Sequence, residues 1–203
     1  MKKIILPFVL LYLFTNMLAQ DVNVLRNYNG DFENGISFWR FFEVPDNIGS
    51  SYDLTSDAVS GEQAMKLNWV ASDGTVNDRG FDNWSANVPV FPGEEYTVKA
   101  FMKSDTPSGL HVAMTLGYFN SSGEVIQEDR INCDLTTAYT EFEFTMAAPA
   151  QAASCWIAFR MFDENNQRVA GVVYIDNVRL LGPSAELSPR VMETTLPTED
   201  VPV

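Results

Sequence analysis

Cysteine, histidine and basic residues are all scarce in this sequence of 203 residues. It holds two cysteines and one histidine, and its 13 lysines and arginines stand against 27 aspartates and glutamates. One histidine and two cysteines do not give the spacing of a zinc site, and the chain lacks a Gly-x-Ser-x-Gly elbow and a phosphate-binding loop. A formal net charge of −14 repels phosphate backbones and anionic membranes. We therefore expect no nucleic-acid partner and no membrane partner.

Long apolar runs are absent beyond the N-terminus. The one such run, Ile4 to Leu18, follows two lysines and precedes Ala19-Gln20. This order of basic, apolar and small residues is typical of a secretory signal peptide, and the run is shorter than the roughly 20 residues that a membrane-spanning helix needs. We predict that residues 1–19 are a signal peptide and that the protein is secreted, to an extracellular, periplasmic or cell-surface location. Cleavage would remove two lysines and change the net charge to −14 − 2 = −16.

The two cysteines, Cys133 and Cys155, would then be exported together into an oxidising compartment, which permits a disulfide. Spacing along the chain does not show whether their Cα atoms lie within bonding range. A disulfide and a pair of buried thiols both remain open.

Helical periodicity is also absent. From residue 20 to about 182 apolar and polar residues alternate over five to ten positions and are then interrupted by Gly, Pro, Asn or Asp, as at Phe91-Pro-Gly-Glu94 and Asn120-Ser-Ser-Gly123. This pattern predicts many short strands in an all-β antiparallel sandwich or barrel. From 183 to 203 Ser, Thr, Pro and Glu dominate, which indicates a flexible tail or linker.

Four short motifs follow one another along the predicted strands. They are Asn29-Gly-Asp-Phe-Glu-Asn-Gly35 followed by Trp39, Val59-Ser-Gly61 with Ala64-Met-Lys-Leu67, Phe91-Pro-Gly-Glu-Glu-Tyr-Thr-Val-Lys-Ala-Phe-Met-Lys-Ser104, and Gly171-Val-Val-Tyr-Ile-Asp-Asn-Val-Arg-Leu180. In this order they resemble the CenC-type carbohydrate-binding modules, the group that contains families four, nine and twenty-two. Two positions depart from that pattern: Phe101 stands where Trp is common, and Asn177 stands where many members have a second Asp.

The resemblance implies a jelly-roll, galactose-binding-like β-sandwich over residues 20–182 that binds a polysaccharide of the β-glucan or xylan class without cleaving it. It also implies a structural calcium ion and an association with a glycoside hydrolase catalytic domain or complex. We expect a monomer.

Two carboxylates are the candidate calcium ligands. Alternation along the last strand predicts that Asp176 shares the core face with Val178 and Leu180, where a carboxylate is costly unless it is paired or bound to a metal. The resemblance places Glu33 beside it, and hard oxygen ligands favour calcium; Asp31 and backbone carbonyls near Ser60 are weaker candidates. The alternative is that Glu33 is solvated and that Asp176 accepts backbone amides in a bulge.

Aromatic residues on the faces opposite the core are the candidate glycan contacts, because sugars present apolar C–H faces and hydroxyl edges. Alternation puts Trp156 and Arg160 on one such face, Phe101 on the non-core face of its own strand and His111 outward. Trp84 lies in a polar loop. We predict that Trp84, Phe101, Trp156 and Arg160 bind the glycan from exposed positions, with His111 as a further candidate. Trp39 and Trp69 are predicted core residues, although Trp69 could line the end of the cleft. For Phe101 and Trp156, core packing remains an alternative.

Two other function classes are open. A β-sandwich glycosidase needs two carboxylates about 5–9.5 Å apart beside a cleft. Glu141 and Glu143 share one strand face, but the pattern around them is typical of a solvated outer face. An extracellular adhesion or matrix domain that contacts proteins is the second alternative, because the fold does not determine the ligand.

Overall fold

A computed structural model describes residues 21–44, 49–70, 78–107, 109–163 and 170–183 of the chain. The predicted signal peptide lies outside these residues, as does the predicted tail from residue 184 onward. No helix in the described ranges is long and apolar enough to cross a membrane.

The described residues form twelve strands and one short 3₁₀ helix. The strands are β1 (Val22–Asn23), β2 (Arg40–Val44), β3 (Ser51–Thr55), β4 (Ala64–Trp69), β5 (Asp78–Asp82), β6 (Val88–Pro89), β7 (Glu95–Ser104), β8 (Leu110–Phe119), β9 (Val125–Asp134), β10 (Thr140–Ala147), β11 (Ser154–Asp163) and β12 (Gly171–Gly182), and the 3₁₀ helix is Trp84–Ala86.

The strands pair into two antiparallel sheets. Sheet A has the order β10-β7-β12-β4-β3, with β1 paired to β12, and sheet B has the order β2-β5-β11-β8-β9, with β6 paired to β11. The prediction of an all-β antiparallel sandwich of the jelly-roll type is confirmed. Alternate residues fill the space between the sheets, such as Tyr96, Val98, Ala100 and Met102 from sheet A.

The predicted core tryptophans are both in this interior. Trp39 stacks on Phe81 of sheet B, with ring centroids 5.2 Å apart. Trp69 is only 1% exposed and belongs to the same buried cluster. Trp69 therefore does not line a surface cleft: its position on β4 points it inward, as its neighbour in alternation Leu67 also does.

The alternation predicted for the last strand is wrong at Asp176. Asp176 pairs with Phe101 and Arg179 pairs with Lys99, so two residues of β12 oppose the single residue between Phe101 and Lys99. This β-bulge contains Asn177 at φ 48°, in the left-handed region. The extra residue reverses the alternation, and Asp176 shares the outer face of sheet A with its pair Phe101 while the next core residue is Val178.

The two cysteines are both buried free thiols. Cys133 of β9 pairs with Val112 and Cys155 of β11 pairs with Tyr118, at opposite ends of the intervening strand β8. Six residues of β-strand span about 20 Å, far beyond the Cα separation of a disulfide. Of the two open alternatives, the structure has the buried thiols, and burial raises the pKa of Cys133 to about 12.

Candidate functional site

The outer face of sheet B is organised by rows of directly paired residues, which share one side of an antiparallel sheet. One row runs Trp156–Gly117–Glu128, and the next runs Arg40–Asp82–Ala158–Thr115–Arg130. A further row contains Arg160, Ala113 and Asn132. Small residues therefore form the middle of this face, and long side chains stand at its sides.

Trp156 lies across the strand beside it. A methyl group added at Gly117 would overlap the indole ring, so glycine is what allows the ring to lie flat on β8. The ring also contacts Trp84 at 4.8 Å between centroids, and Trp84 packs edge-on against Phe119 at 4.7 Å. These three rings form a cluster separate from the main core.

Burial within this cluster differs from our expectation. Alternation correctly placed Trp156 opposite the core, but the ring is only 1% exposed rather than open to solvent, because the Trp84 ring and its neighbours cover it. Trp84 itself is half-buried and forms the outer layer. A ligand on this face would therefore touch Trp84 first, with Trp156 supporting it from beneath.

Guanidinium groups continue the cluster along the face. The Arg160 guanidinium lies 6.0 Å from the Trp156 ring and 5.9 Å from the ring of Phe42 on β2, and Arg40 approaches that same Phe42 ring at 5.4 Å. All three distances fall in the range of cation–π attraction. The result is a row of aromatic rings and guanidinium groups in the order Trp84, Trp156, Arg160, Phe42 and Arg40, which we call the aromatic–arginine ladder.

Asp82 connects the two ends of the ladder. Its buried carboxylate accepts two hydrogen bonds from Arg40, at 2.7 and 3.2 Å, and one from the backbone N–H of Trp84 at 3.1 Å. The neighbouring Asn83 accepts a hydrogen bond from the N–H of Ile157 at 2.6 Å, which joins the start of the 3₁₀ helix to β11. The position of Trp84 is therefore fixed by the sheet.

Phe101 does not belong to this surface. It lies half-buried on the outer face of sheet A, between its pairs Glu141 and Asp176, on the opposite side of the sandwich from Trp84 and Trp156. The predicted set of glycan contacts is thus divided between two faces. Alternation within single strands could not detect this, because it does not say which strands share a sheet.

His111 lies on the outer face of sheet B but at its far end. It pairs with Asp134, six residues along β8 from Gly117 and therefore about 20 Å from the tryptophan cluster. It is buried and forms part of a separate pocket with Pro107, Leu110 and Asp134.

The candidate calcium ligands meet at one turn, residues 59–63. Asp176 is completely buried, and its Oδ2 accepts hydrogen bonds from the N–H groups of Val59 and Ser60 at 2.7 and 3.0 Å. Glu33 Oε1 accepts hydrogen bonds from Glu62 and Gln63 at 2.8 and 2.9 Å. Both carboxylates therefore bind the same turn. The alternative prediction, in which Asp176 accepts hydrogen bonds from backbone amides, is correct for Asp176.

The charged form of Asp176 is disfavoured at this turn. Burial raises the pKa of Asp176, against the hydrogen bonds from Ser60, Val59 and Asn177, and the Glu33 carboxylate adds to the rise. Among the described residues Glu33 Oε2 accepts no hydrogen bond, and no group of three or more His, Cys, Asp or Glu side chains that could hold a metal is found there. Asp31 is exposed, with its carboxylate 3.4 Å from the N–H of Glu33.

Sequence reasoning missed Arg40, Phe42, Asp82 and Thr115 of the sheet B face. Phe42 shares the outward alternation of Arg40, and that signal could have identified it. Asp82 and Thr115 could not be found in this way, because their roles depend on pairing between strands that are distant in sequence. Thr115 is 2% exposed, and its hydroxyl makes no hydrogen bond within the described residues.

Solved structures share this fold. The enzymatically active domain of tailspike protein 4 of bacteriophage CBA120 matches with a TM-score of 0.59 at 14% identity, over 78% of this chain and 21% of the tailspike chain. A family 16 carbohydrate-binding module matches at 0.52 and 17% identity, over 75% of this chain and 96% of the module. The xylan-binding domain CBM22-1 of Paenibacillus barcinonensis Xyn10C matches at 0.50 and 14% identity, over 73% and 88% of the two chains.

These likenesses define the class of fold, a jelly-roll sandwich of the kind found in carbohydrate-binding modules. This chain corresponds to about a fifth of the tailspike chain but to nearly the whole of each module. No protein-family model and no curated protein sequence matches this sequence. At identities of 14–17% the comparisons establish the fold, and the ligand has to be argued from the site.

Proposed function

We propose that this protein is a secreted module that binds a polysaccharide on the outer face of sheet B and does not cleave it. The observation that carries the proposal is the aromatic–arginine ladder on one sheet face of a sandwich whose fold is shared with carbohydrate-binding modules. The xylan and β-glucan classes are the first candidates, and the likeness to a domain described as xylan-binding supports xylan as the first probe.

The ladder has the two kinds of group that a sugar chain needs. The half-buried Trp84 ring offers an apolar surface to the C–H face of a sugar ring, and the Arg160 and Arg40 guanidinium groups donate hydrogen bonds to hydroxyl oxygens. Trp156 and Asp82 hold these groups in place from below. Because the ladder is fixed before the ligand arrives, binding would cost little ordering of side chains.

Native gels that contain soluble xylan or β-glucan, together with a glycan array, test this function. We expect the protein to be retarded by at least one neutral polymer, and retention to change little when the salt concentration is raised, because a neutral ligand offers no charge to screen. Failure of every neutral polymer to bind would contradict the proposal. Capture of a protein ligand in its place would favour the adhesion or matrix alternative.

The absence of catalysis is part of the proposal. The two carboxylates that share a face of β10 are engaged on sheet A, where Glu141 forms an ion pair with Arg179 and Glu143 forms one with Lys99. Both lie on the face opposite the ladder, so they do not flank the proposed binding surface. We expect no release of reducing ends from any retained polymer. Release by pure protein that a Glu141→Gln change abolished would instead support a glycosidase.

A structural calcium ion at the turn of residues 59–63 is also part of the proposal. Glu33 and Asp176 bring two carboxylates to one turn, and a divalent cation would favour the charged form of Asp176, whose pKa is raised mainly by burial and to a smaller extent by Glu33. Glu33 would contribute Oε2, and such an ion would fasten the N-terminal segment to β12 without touching the ligand. We further propose that the module works beside a glycoside hydrolase domain or complex, which it would bring to the polymer.

A further inference from the structure

A small polar pocket adjoins the ladder on the outer face of sheet B. It has a volume of about 180 Å³ and is lined by Thr115, Glu128, Asp129, Arg130 and Arg160. Arg160 belongs to both the ladder and the pocket wall, so a ligand that lies on the ladder passes the opening of the pocket. We call it the Thr115 pocket.

Strand pairing explains why the pocket exists. Thr115 sits between Ala158 of β11 and Arg130 of β9, and the position beside it on β8 in the outward alternation is Ala113. The stem of Arg160 leans away from this floor, because its Cγ approaches Gly80 of β5, where a larger residue would crowd it. Small residues in the centre and a long side chain directed to one side leave a depression over Thr115.

The floor of the pocket is a buried hydroxyl group that makes no hydrogen bond within the described residues. Thr115 is 2% exposed, and its Oγ1 is buried with no hydrogen-bond partner among the described residues. A buried hydroxyl without a partner is unfavourable in a folded protein. A ligand hydroxyl in the pocket would supply the partner, since a threonine hydroxyl both donates and accepts.

The walls carry charges of both signs. Arg130 and Arg160 supply donors and Glu128 supplies an acceptor, whereas Asp129 pairs with the core residue Leu116 and its carboxylate accepts the backbone N–H of Arg130 at 2.8 Å. A sugar ring can use both kinds of group, because its hydroxyls donate to Glu128 and its oxygens accept from the guanidinium groups, whereas a carboxylate or sulfate would meet the Glu128 charge.

We propose that the Thr115 pocket binds a neutral monosaccharide branch of the polysaccharide whose main chain lies on the ladder. This inference rests on the proposed function and gives it a substrate class: substituted rather than linear polymers. Thr115 would determine this specificity by contacting the branch directly.

Titration calorimetry with matched oligosaccharides tests the inference. The probes are xylohexaose, the same xylose main chain with an arabinose branch, and the same main chain with a glucuronic acid branch; cellohexaose and a xyloglucan oligosaccharide form a second pair. We expect the arabinose and xyloglucan probes to bind roughly threefold to tenfold more tightly than their linear partners, which is the effect of about one additional hydrogen bond. The glucuronic acid branch should give no further gain.

Thr115→Val separates binding from stability, because valine has the same shape without the hydroxyl. We expect this variant to bind the branched probes only as tightly as the linear ones, with the linear affinity unchanged and the melting temperature not lowered. Glu128→Gln, at an exposed wall position, should reduce the branched preference in the same direction. Thr137→Val, at an exposed threonine outside the pocket, is the matched control and should behave as wild type.

Three results would overturn the inference while leaving the proposed function intact. They are equal affinity for branched and linear probes, a Thr115→Val effect of equal size on both, which would put a main-chain sugar in the pocket, and a preference for the glucuronic acid branch. If no probe of either series binds, the proposed function itself fails, and the inference fails with it.

Discussion

The two outer faces of the sandwich both carry charged and aromatic residues but use them differently. On sheet A the long side chains pair with each other: Lys99 with Glu143, Arg179 with Glu141, and Lys103 with Asp57. On sheet B two tryptophans, a phenylalanine and two arginines lie over glycine and alanine. Most long side chains of sheet A are thus engaged in ion pairs, whereas on sheet B the buried Thr115 hydroxyl makes no hydrogen bond within the described residues.

This difference indicates which face is available to a ligand. On sheet A the Lys103 ammonium group lies 4.9 and 4.7 Å from the ring centroids of Tyr139 and Tyr174, so these two rings are already in contact with a charged side chain. A ligand there would have to displace existing ion pairs and gain little in exchange. A ligand on sheet B would meet side chains that are already held in position. It would also meet the buried Thr115 hydroxyl, which makes no hydrogen bond within the described residues.

The largest expected effect follows truncation of Trp156. Because its ring is buried against Gly117 and Trp84, Trp156→Ala should lower the free energy of unfolding by about 3–5 kcal/mol and also abolish glycan retention. Urea denaturation and native affinity gels measure the two effects. A ring exposed to solvent, as expected from the sequence alone, would instead have left the unfolding free energy nearly unchanged. Trp156→Phe is the matched control and should lose less of both; an unchanged unfolding free energy for Trp156→Ala would contradict the packing described.

Removal of calcium should separate stability from binding. At a concentration one hundred times its Kd, an ion that binds only the folded state adds about 2.7 kcal/mol, or roughly 5–10 °C in melting temperature for a domain of this size. EDTA should remove that gain without changing affinity for a glycan, since Glu33 and Asp176 lie away from the ladder. Calorimetric melting curves and affinity gels with and without EDTA test both halves.

Charge-removing variants at this turn identify the ligands. Glu33→Gln and Asp176→Asn should each abolish the calcium-dependent gain, whereas Glu62→Gln, an exposed carboxylate of the same turn, should retain it. A melting temperature that is the same in chelator and in calcium would contradict the proposed calcium site.

The prediction of the fold succeeded where alternation is local, and it failed where pairing between distant strands decides the outcome. The outward positions of Phe101 and Trp156 were both predicted from residues within one strand. The bulge at Asn177 was not, because the alternation was extended from Val178 and Leu180 back to Asp176, although the preceding core residue Ile175 is out of phase with them. The division of Phe101 from Trp156 likewise depends on which strands share a sheet.

The candidate site was likewise predicted only in the part that depends on local alternation. Aromatic residues opposite the core were recognised, but burial of Trp156 depends on the 3₁₀ helix that brings Trp84 over it, and that helix is fixed by Asp82 and Asn83 through contacts with β2 and β11. The motif around Glu33 correctly indicated contact with the closing strand, because Gly30 O accepts a hydrogen bond from Val178 at 2.7 Å.

The smallest expected effect lies on sheet A. Glu143→Gln removes one partly exposed ion pair, so it should cost no more than about 1 kcal/mol of unfolding free energy. It should leave glycan retention unchanged, as judged by urea denaturation and affinity gels. A large loss of retention would place the ligand on sheet A and reverse the comparison of the two faces.

Side-by-side native gels of the wild type, Trp84→Ala and Phe101→Ala in soluble xylan or β-glucan test the central claim most directly, with melting curves recorded in parallel. Both changes remove one half-buried ring, from sheet B and from sheet A respectively. Binding on the ladder predicts that Trp84→Ala loses roughly thirtyfold in affinity, the cost of a binding hot spot of about 2 kcal/mol, while Phe101→Ala is retarded as the wild type is. Loss of retention in Phe101→Ala with Trp84→Ala unaffected would contradict the account.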